Sequence, residues 1–289
     1  FSLARHLLTT RVWDFFMMVE MGTDRVHHAF WQYMDQTHHR YEPGNPFEAV
    51  IEEYYAYVDE ELGRLLAVLP PDTHVLIVSD HGAQCMEGGV AINEWLIQQG
   101  YLVLKEYPKS PCRLEACAID WAKTTAWGAG GYYGRLFLNV KGREPNGLVE
   151  PAHYEATRDR LITELEALGD PQGRPIGTKV HRPEKLYKMV RGAAPPDLFV
   201  YFGNLRWRSV GTIGTHEIHT FENDTGPDDA NHAQDGLIVV HGPGVPARGP
   251  VEGLQLMDVS PTVMSLYGLA IPADFQGRAI DLTAPGRLD

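Results

Sequence analysis

Thr73-His74-Val75-Leu76-Ile77-Val78-Ser79-Asp80-His81-Gly82 is where the architecture of this chain is read most directly. After the turn-forming Pro70-Pro71-Asp72, the run from His74 to Val78 is short, apolar and rich in β-branched residues. That is the pattern of a strand covered on both faces inside a parallel sheet. Ser79, Asp80, His81 and Gly82 stand at its C-terminal end, where open α/β sheets bind ligands. Asp80 offers a hard oxygen and His81 a borderline nitrogen, a mixture suited to Zn²⁺ or Mn²⁺. The same pair also reads as an ordinary turn, or as a carboxylate orienting an imidazole.

Upstream, Val12 to Met21 is mostly apolar and reads as a second buried strand, with Gly22-Thr23-Asp24-Arg25-Val26-His27-His28 at its C-terminal end. The step from Asp24 to His28 puts both side chains on one face of a helical turn. His27 points elsewhere. Between the two strands, Asn45-Pro46-Phe47-Glu48 has the composition of a capping box with proline at the first helical position. Phe47, Val50, Ile51, Tyr54, Val58, Leu62, Leu65 and Leu66 then repeat at helical spacing, which predicts a helix through Leu69. Strand, helix and strand make a βαβ unit, whose right-handed crossover would bring Asp24/His28 and Asp80/His81 to one sheet edge.

Downstream, helices are expected over Asn93–Gln99 and Glu155–Leu168, and strands over Tyr101–Leu104, Leu136–Val140, Leu198–Tyr201 and Gly236–His241. Asp258 is placed to cap a last helix that runs through Tyr267 and ends at Gly268. The alternation weakens in the middle of the chain. The expected fold is therefore α/β, a mostly parallel sheet flanked by helices, with a core at residues 1–104 and 198–289 and a smaller lobe inserted at 105–197. The acidic, amide-rich stretch Glu222 to Asp235 reads either as a solvated loop or as a loop turning into a metal cleft to offer His232. Arg135, after Gly130-Gly131-Tyr132-Tyr133-Gly134, is suited to grip a phosphate or carboxylate in two-pronged fashion. Trp127, Tyr132, Tyr133 and Trp207 suit either a pocket for a planar group or packing, with packing favoured. Lys141, Arg143 and Lys188 read as solvated, and His27, Gln84, Asp228 and Asp229 read either as ordinary surface polar residues or as partners that orient ligand histidines.

Composition narrows the function classes. A net charge of −13 over 289 residues argues against a broad nucleic-acid surface. It leaves room for a small phosphorylated substrate, because bound cations reverse the sign locally. No apolar run reaches the roughly 18–20 residues that span a bilayer. Cys85, Cys112 and Cys117 lack a C-x-x-C spacing and read as free thiols of a reducing, cytoplasmic compartment. The chain opens on Phe1-Ser2-Leu3-Ala4 without Met, so N-terminal sequence, with any signal peptide, is expected to precede it.

Four motifs in this order resemble the alkaline phosphatase superfamily, in particular its nucleotide pyrophosphatase/phosphodiesterase-like branch and the related phosphohydrolases and phosphomutases. They are Gly22-Thr23-Asp24-Arg25-x-x-His28, Val78-Ser79-Asp80-His81-Gly82, Asn231-His232 with Asp235-Gly236, and Asp258-Val259-Ser260-Pro261-Thr262 with Gly268 and Gly277-Arg278. Gly142-Arg143-Glu144-Pro145 and Pro196-Asp197-Leu198 also look like this branch. The resemblance implies two divalent metal ions, zinc rather than manganese. It makes Asp24, His28 and His232 ligands of one ion, and Asp80 and His81 ligands of the other. It places the Thr or Ser nucleophile, and a further Asp ligand, upstream of Phe1. The activity it implies is hydrolysis of a phosphodiester or phosphomonoester of a small substrate, with a phosphomutase as the alternative. The absent nucleophile segment leaves a non-catalytic metal-binding fragment as a third reading.

Overall fold

The apolar run after Pro70-Pro71-Asp72 does form a strand, Val75–Val78, and its partner is Ile238–His241. The pairing is antiparallel, with Val75 opposite His241 and Val78 opposite Ile238. All four residues of Val75–Val78 are only half-buried. The expectation of a mostly parallel sheet is corrected here. A β-branched run reports fitness for a pleated surface, whereas the direction of pairing is decided by distant partners that no local pattern reveals. Small sheets and helices make a mixed α/β fold.

The computed structural model describes residues 1–283 except 191, 193, 224, 225, 227 and 248. The chain divides into two units, Phe1–Met21, Glu52–Gly82 and Gln234–Asp289 in the first, Gly22–Ile51 and Ala83–Ala233 in the second.

In the first unit, Val12 to Met21 is not a strand. Phe16, Met18 and Glu20 are partly covered, while Phe15, Met17, Val19 and Met21 are exposed, an alternation with the period of a strand covered on one side. Among the described residues no ladder forms along it, which corrects the expected second buried strand. Ala4, Leu65 and Pro261 are the buried apolar side chains of this unit among the described residues. Its fastenings are polar. Buried Glu61 receives Arg5 and Arg64. Asp258 does not cap the helix Val259–Leu266 through its side chain. It accepts the N–H groups of Gln255 (3.0 Å) and Arg278 (2.8 Å) instead. Gly277 explains itself in the same place, since a Cβ there would lie 1.9 Å from the carbonyl oxygen of Met257.

The second unit carries the core. Ala126–Ala129, Gly134–Leu138, Leu198–Tyr201 and Lys179–His181 form one antiparallel sheet in that order, so the region expected as an insert shares a sheet with Leu198–Tyr201. Leu136, Leu138, Leu198 and Val200 on its inner face pack with Leu96, Leu161 and Leu165 of the helices Ile92–Gln98 and Tyr154–Glu166. Trp207–Val210 runs parallel to Gly88–Ala91, which pairs antiparallel with His219–Thr220. The strand expected at Tyr101–Leu104 is reduced to one bridge, Leu104 to Ile119. The helix expected from Asn45 starts later, as Val50–Leu66. The Asn45 Oδ1 accepts the N–H of Phe47 (2.9 Å), and Glu48 takes the N–H of Gly44 (3.1 Å) and the hydroxyl of Tyr41 (2.6 Å). These side chains hold a turn ahead of the helix. Cys85, Cys112 and Cys117 are free thiols, and burial pushes that of Cys117 up. No helix among the described residues is long and apolar enough to cross a membrane.

Arg143, expected in solvent, grips Asp197 with both terminal nitrogens at 2.7 Å. Asp197 is 2% exposed and also accepts the N–H of Leu138 (2.6 Å) and the hydroxyl of Tyr154 (2.5 Å). Two motifs of the resemblance thus meet as one structural ion pair. Asp197→Ala leaves Arg143 and the Leu138 N–H without this acceptor. Because Arg143 is still 41% exposed, the loss is expected at the low end for a broken buried pair, about 3 kcal/mol. Denaturant unfolding measures it, and a change below ~1 kcal/mol would show that the pair is a surface ornament.

Candidate metal centre

The helix Gly22–Met34 places Asp24 in its first turn and His28 one turn later, with Asp24 Oδ1 3.3 Å from His28 Nε2. The strand Ala230–Ala233 brings His232, whose Nε2 lies 3.3 Å from His28 Nε2 and 3.5 Å from Asp24 Oδ1. One donor atom from each residue falls within 4.8 Å of the others. Such convergence of one carboxylate and two imidazoles fits a divalent cation bound by mixed oxygen and nitrogen donors.

Helix and strand are tied directly. The N–H of Asp229 donates to the carbonyl of His28 (3.1 Å), and the Asp229 carbonyl accepts the N–H of Met86 (3.1 Å). Asn231 is wholly buried. Its Oδ1 accepts the N–H of His232 (2.9 Å), while its Nδ2 donates to the carbonyl of Leu205 (2.5 Å). Gln84 donates to the carbonyls of His232 and Asn204, each at 3.0 Å. Asn204 and Leu205 hold φ of 53° and 69°, a left-handed turn that costs ~1–2 kcal/mol per ordinary residue. The turn aims two carbonyls at the side chains that fix the His232 strand. On the other side, Gly130 packs so closely on Gly211 that a Cβ would lie 2.5 Å from its nitrogen. That approach seats Tyr132, whose ring stacks on His232 at 3.8 Å between centroids.

His28 has its second nitrogen engaged. Nδ1 lies 2.6 Å from Asp228 Oδ1 and 3.1 Å from the carbonyl of Ala230. A proton on Nδ1 satisfies both acceptors and leaves the Nε2 lone pair facing Asp24 and His232, the form a cation needs. The hydrogen bond to Asp228 raises the pKa of His28 above its ordinary value, against the opposing effect of burial. Asp224, Thr225 and Pro227 of the loop before His232 lie outside the described residues.

The other residues singled out above fare differently. Asp80 and His81 follow the strand Val75–Val78 in the first unit, with Asp80 Oδ1 3.7 Å from His81 Nε2 and the Asp80 side chain 74% exposed. Among the described residues, no third His, Cys, Asp or Glu completes a ligand cluster with them. Arg135 is exposed and donates to the carbonyl of Gly130 (3.4 Å). Trp207 is buried with its N–H on Glu87 (3.1 Å), and Trp127 stacks on Phe137, so both are packing residues. His27 packs edge-on against Trp31. Arg208, which donates to Asp228 (2.7 Å), has no counterpart among the residues picked out by sequence. A lone arginine between Trp207 and the small Ser209 of a short strand was its only signal.

The sequence model of the family described as type I phosphodiesterase / nucleotide pyrophosphatase matches residues 2–228. The match takes in Asp24, His28, Asp80 and His81 and stops short of His232. No curated protein matches the chain.

A cleft beside the triad is lined by His38, Asp228 and Asp229, among others. Burial holds the pKa of His38, 5% exposed, down to about 4 and raises that of Asp229 to about 6. His38 therefore contributes stability that is complete above its ordinary value of 6.5 and is lost as pH falls towards 4. Asp229 works the other way: its contribution is complete below its ordinary 3.8 and is lost as pH rises through 6. Thermal melting from pH 7 to 4.5 should accordingly show a smaller acid loss in His38→Gln than in the parent, and a larger one in Asp229→Asn. Parallel curves for all three proteins would refute the assignment.

Proposed function

The chain belongs to the type I phosphodiesterase / nucleotide pyrophosphatase family, and on that premise we propose that it serves a metal-dependent phosphohydrolase acting on a phosphodiester or phosphomonoester of a small substrate. The observation that carries the proposal is the convergence of Asp24, His28 and His232 from a helix and a distant strand. Asp24, His28 and His232 hold one divalent cation, and Asp80 and His81 supply ligands to a second. Zinc is favoured by the two imidazoles, with manganese tolerated by the carboxylates. When bound, such cations supply Lewis acidity, drawing charge from phosphoryl oxygens and lowering the pKa of an attacking hydroxyl.

The chain's own residues do the rest. Neutral imidazoles keep the ligand set from accumulating negative charge, so a phosphate is still attracted in a protein of net charge −13. Asp228 keeps the proton of His28 on the nitrogen turned away from the site. Tyr132 covers one face of His232 and limits its rotation. Arg135 is assigned to the substrate as an exposed guanidinium in the same unit as the triad. We assign ligands and no nucleophile.

Turnover of nitrophenyl phosphate mono- and diesters, with Zn²⁺ or Mn²⁺ added, tests the proposal. Loss of a ligand should cost more than loss of an orienting partner, so His232→Ala is expected to fall by more than ~100-fold. Undiminished activity in His232→Ala combined with Asp80→Ala would end it. The expected product is a hydrolysed ester rather than an isomeric phosphate ester.

A further inference from the structure

The contacts behind the triad close into a ring that joins its two histidines. Asp228 spends both oxygens in it, Oδ1 on His28 Nδ1 (2.6 Å) and Oδ2 on Arg208 Nη1 (2.7 Å). The Arg208 guanidinium lies 5.1 Å from the centre of the Tyr132 ring. Tyr132 in turn stacks on His232 at 3.8 Å and 27°, and on His28 at 5.5 Å and 30°. Arg208 sits on the strand Trp207–Val210 with its side chain 9% exposed, so this is a built arrangement with little solvent in it.

We propose that Arg208 is the positioning residue of the metal centre, one guanidinium that aims His28 through Asp228 and His232 through Tyr132. It rests on the reading that Asp24, His28 and His232 hold a cation. The two arms need different chemistry. The Asp228 arm needs a directional, charged donor, because a carboxylate that swings lets the imidazole swing with it. The Tyr132 arm needs a flat cation that lies against a ring. Arginine suits both demands, since its donors lie in the plane of a guanidinium whose faces are able to lie against a ring. A lysine at the position keeps a charge for Asp228 and loses the flat contact. Both ligand histidines are therefore set through Asp228 and Tyr132, the two groups that the one guanidinium joins.

Zn²⁺ affinity of the full chain, measured by competition with a chromophoric chelator, tests this, with Co²⁺ absorption as a spectroscopic readout of ligand geometry. Arg208→Met is expected to weaken Zn²⁺ binding ~10–100-fold and to shift the Co²⁺ band, with Arg208→Lys recovering part of both. Asp228→Asn and Tyr132→Leu are each expected to weaken binding less than Arg208→Met, and together to match it. Parental affinity and an unshifted Co²⁺ band in a folded Arg208→Met overturn the inference. If Arg208→Met does not fold, the Asp228→Asn/Tyr132→Leu double variant decides in its place, and parental affinity there overturns it equally. A parent whose Zn²⁺ binding is indifferent to His232→Ala overturns the cation reading itself, and that control separates the two failures.

Discussion

One backbone hydrogen bond, from the Asp229 N–H to the carbonyl of His28, underlies the site. It joins the helix that carries Asp24 and His28 to the segment that carries His232. Around it the fastenings are polar: Asn231 and Gln84 grip the His232 strand by its backbone, and Asp228 holds the His28 ring. Apolar packing sets how close two elements lie but not which way an imidazole faces, because the hydrophobic effect has no direction. Hydrogen bonds weaken steeply once bent, so they are the means of aiming a ligand. A cation site needs that aim, and the structure supplies it on three sides of two histidines.

Each unit is stabilised internally by different means. The second has a true apolar core, in which Leu136, Leu138, Leu161, Leu165 and Phe202 are wholly buried. Its site residues project from a helix and a strand, the rigid kind of support from which ligand geometry is best kept. The first unit buries Ala4, Leu65 and Pro261 among its described apolar residues and relies on carboxylates such as Glu61 and Asp258 to fasten its segments. Chain order is no guide to this division, since each unit is assembled from separated pieces.

What could be read beforehand follows the range of the interactions. Asp24 and His28 were legible because a helical turn is local and four residues define it. The strands at Val75–Val78 and Leu198–Tyr201 were legible from short apolar runs. Their pairing was not, because direction belongs to the partner strand. Val12 to Met21 shows the limit most plainly: its composition signals apolar surface, and surface alone cannot supply the neighbour whose N–H and C=O groups make a strand. Arg143 and Asp197 each look like loop residues in isolation, and only the fold shows that they are one ion pair built on a buried carboxylate. Tyr132 was legible as a packing residue or a wall for a planar group, but not as the ring that lies against His232. Arg208 escaped notice because an arginine inside a four-residue strand is informative only once its burial is known.

Family membership brings the chemistry of phosphoesters, and the triad is the place we propose for it in this chain. The central claim is that Asp24, His28 and His232 hold a divalent cation. Anomalous diffraction from crystals grown with Zn²⁺, recorded on both sides of the zinc absorption edge, tests it most directly. The account predicts an anomalous peak bounded by Asp24 Oδ1, His28 Nε2 and His232 Nε2. Well-ordered side chains at these three residues with no peak between them would contradict it.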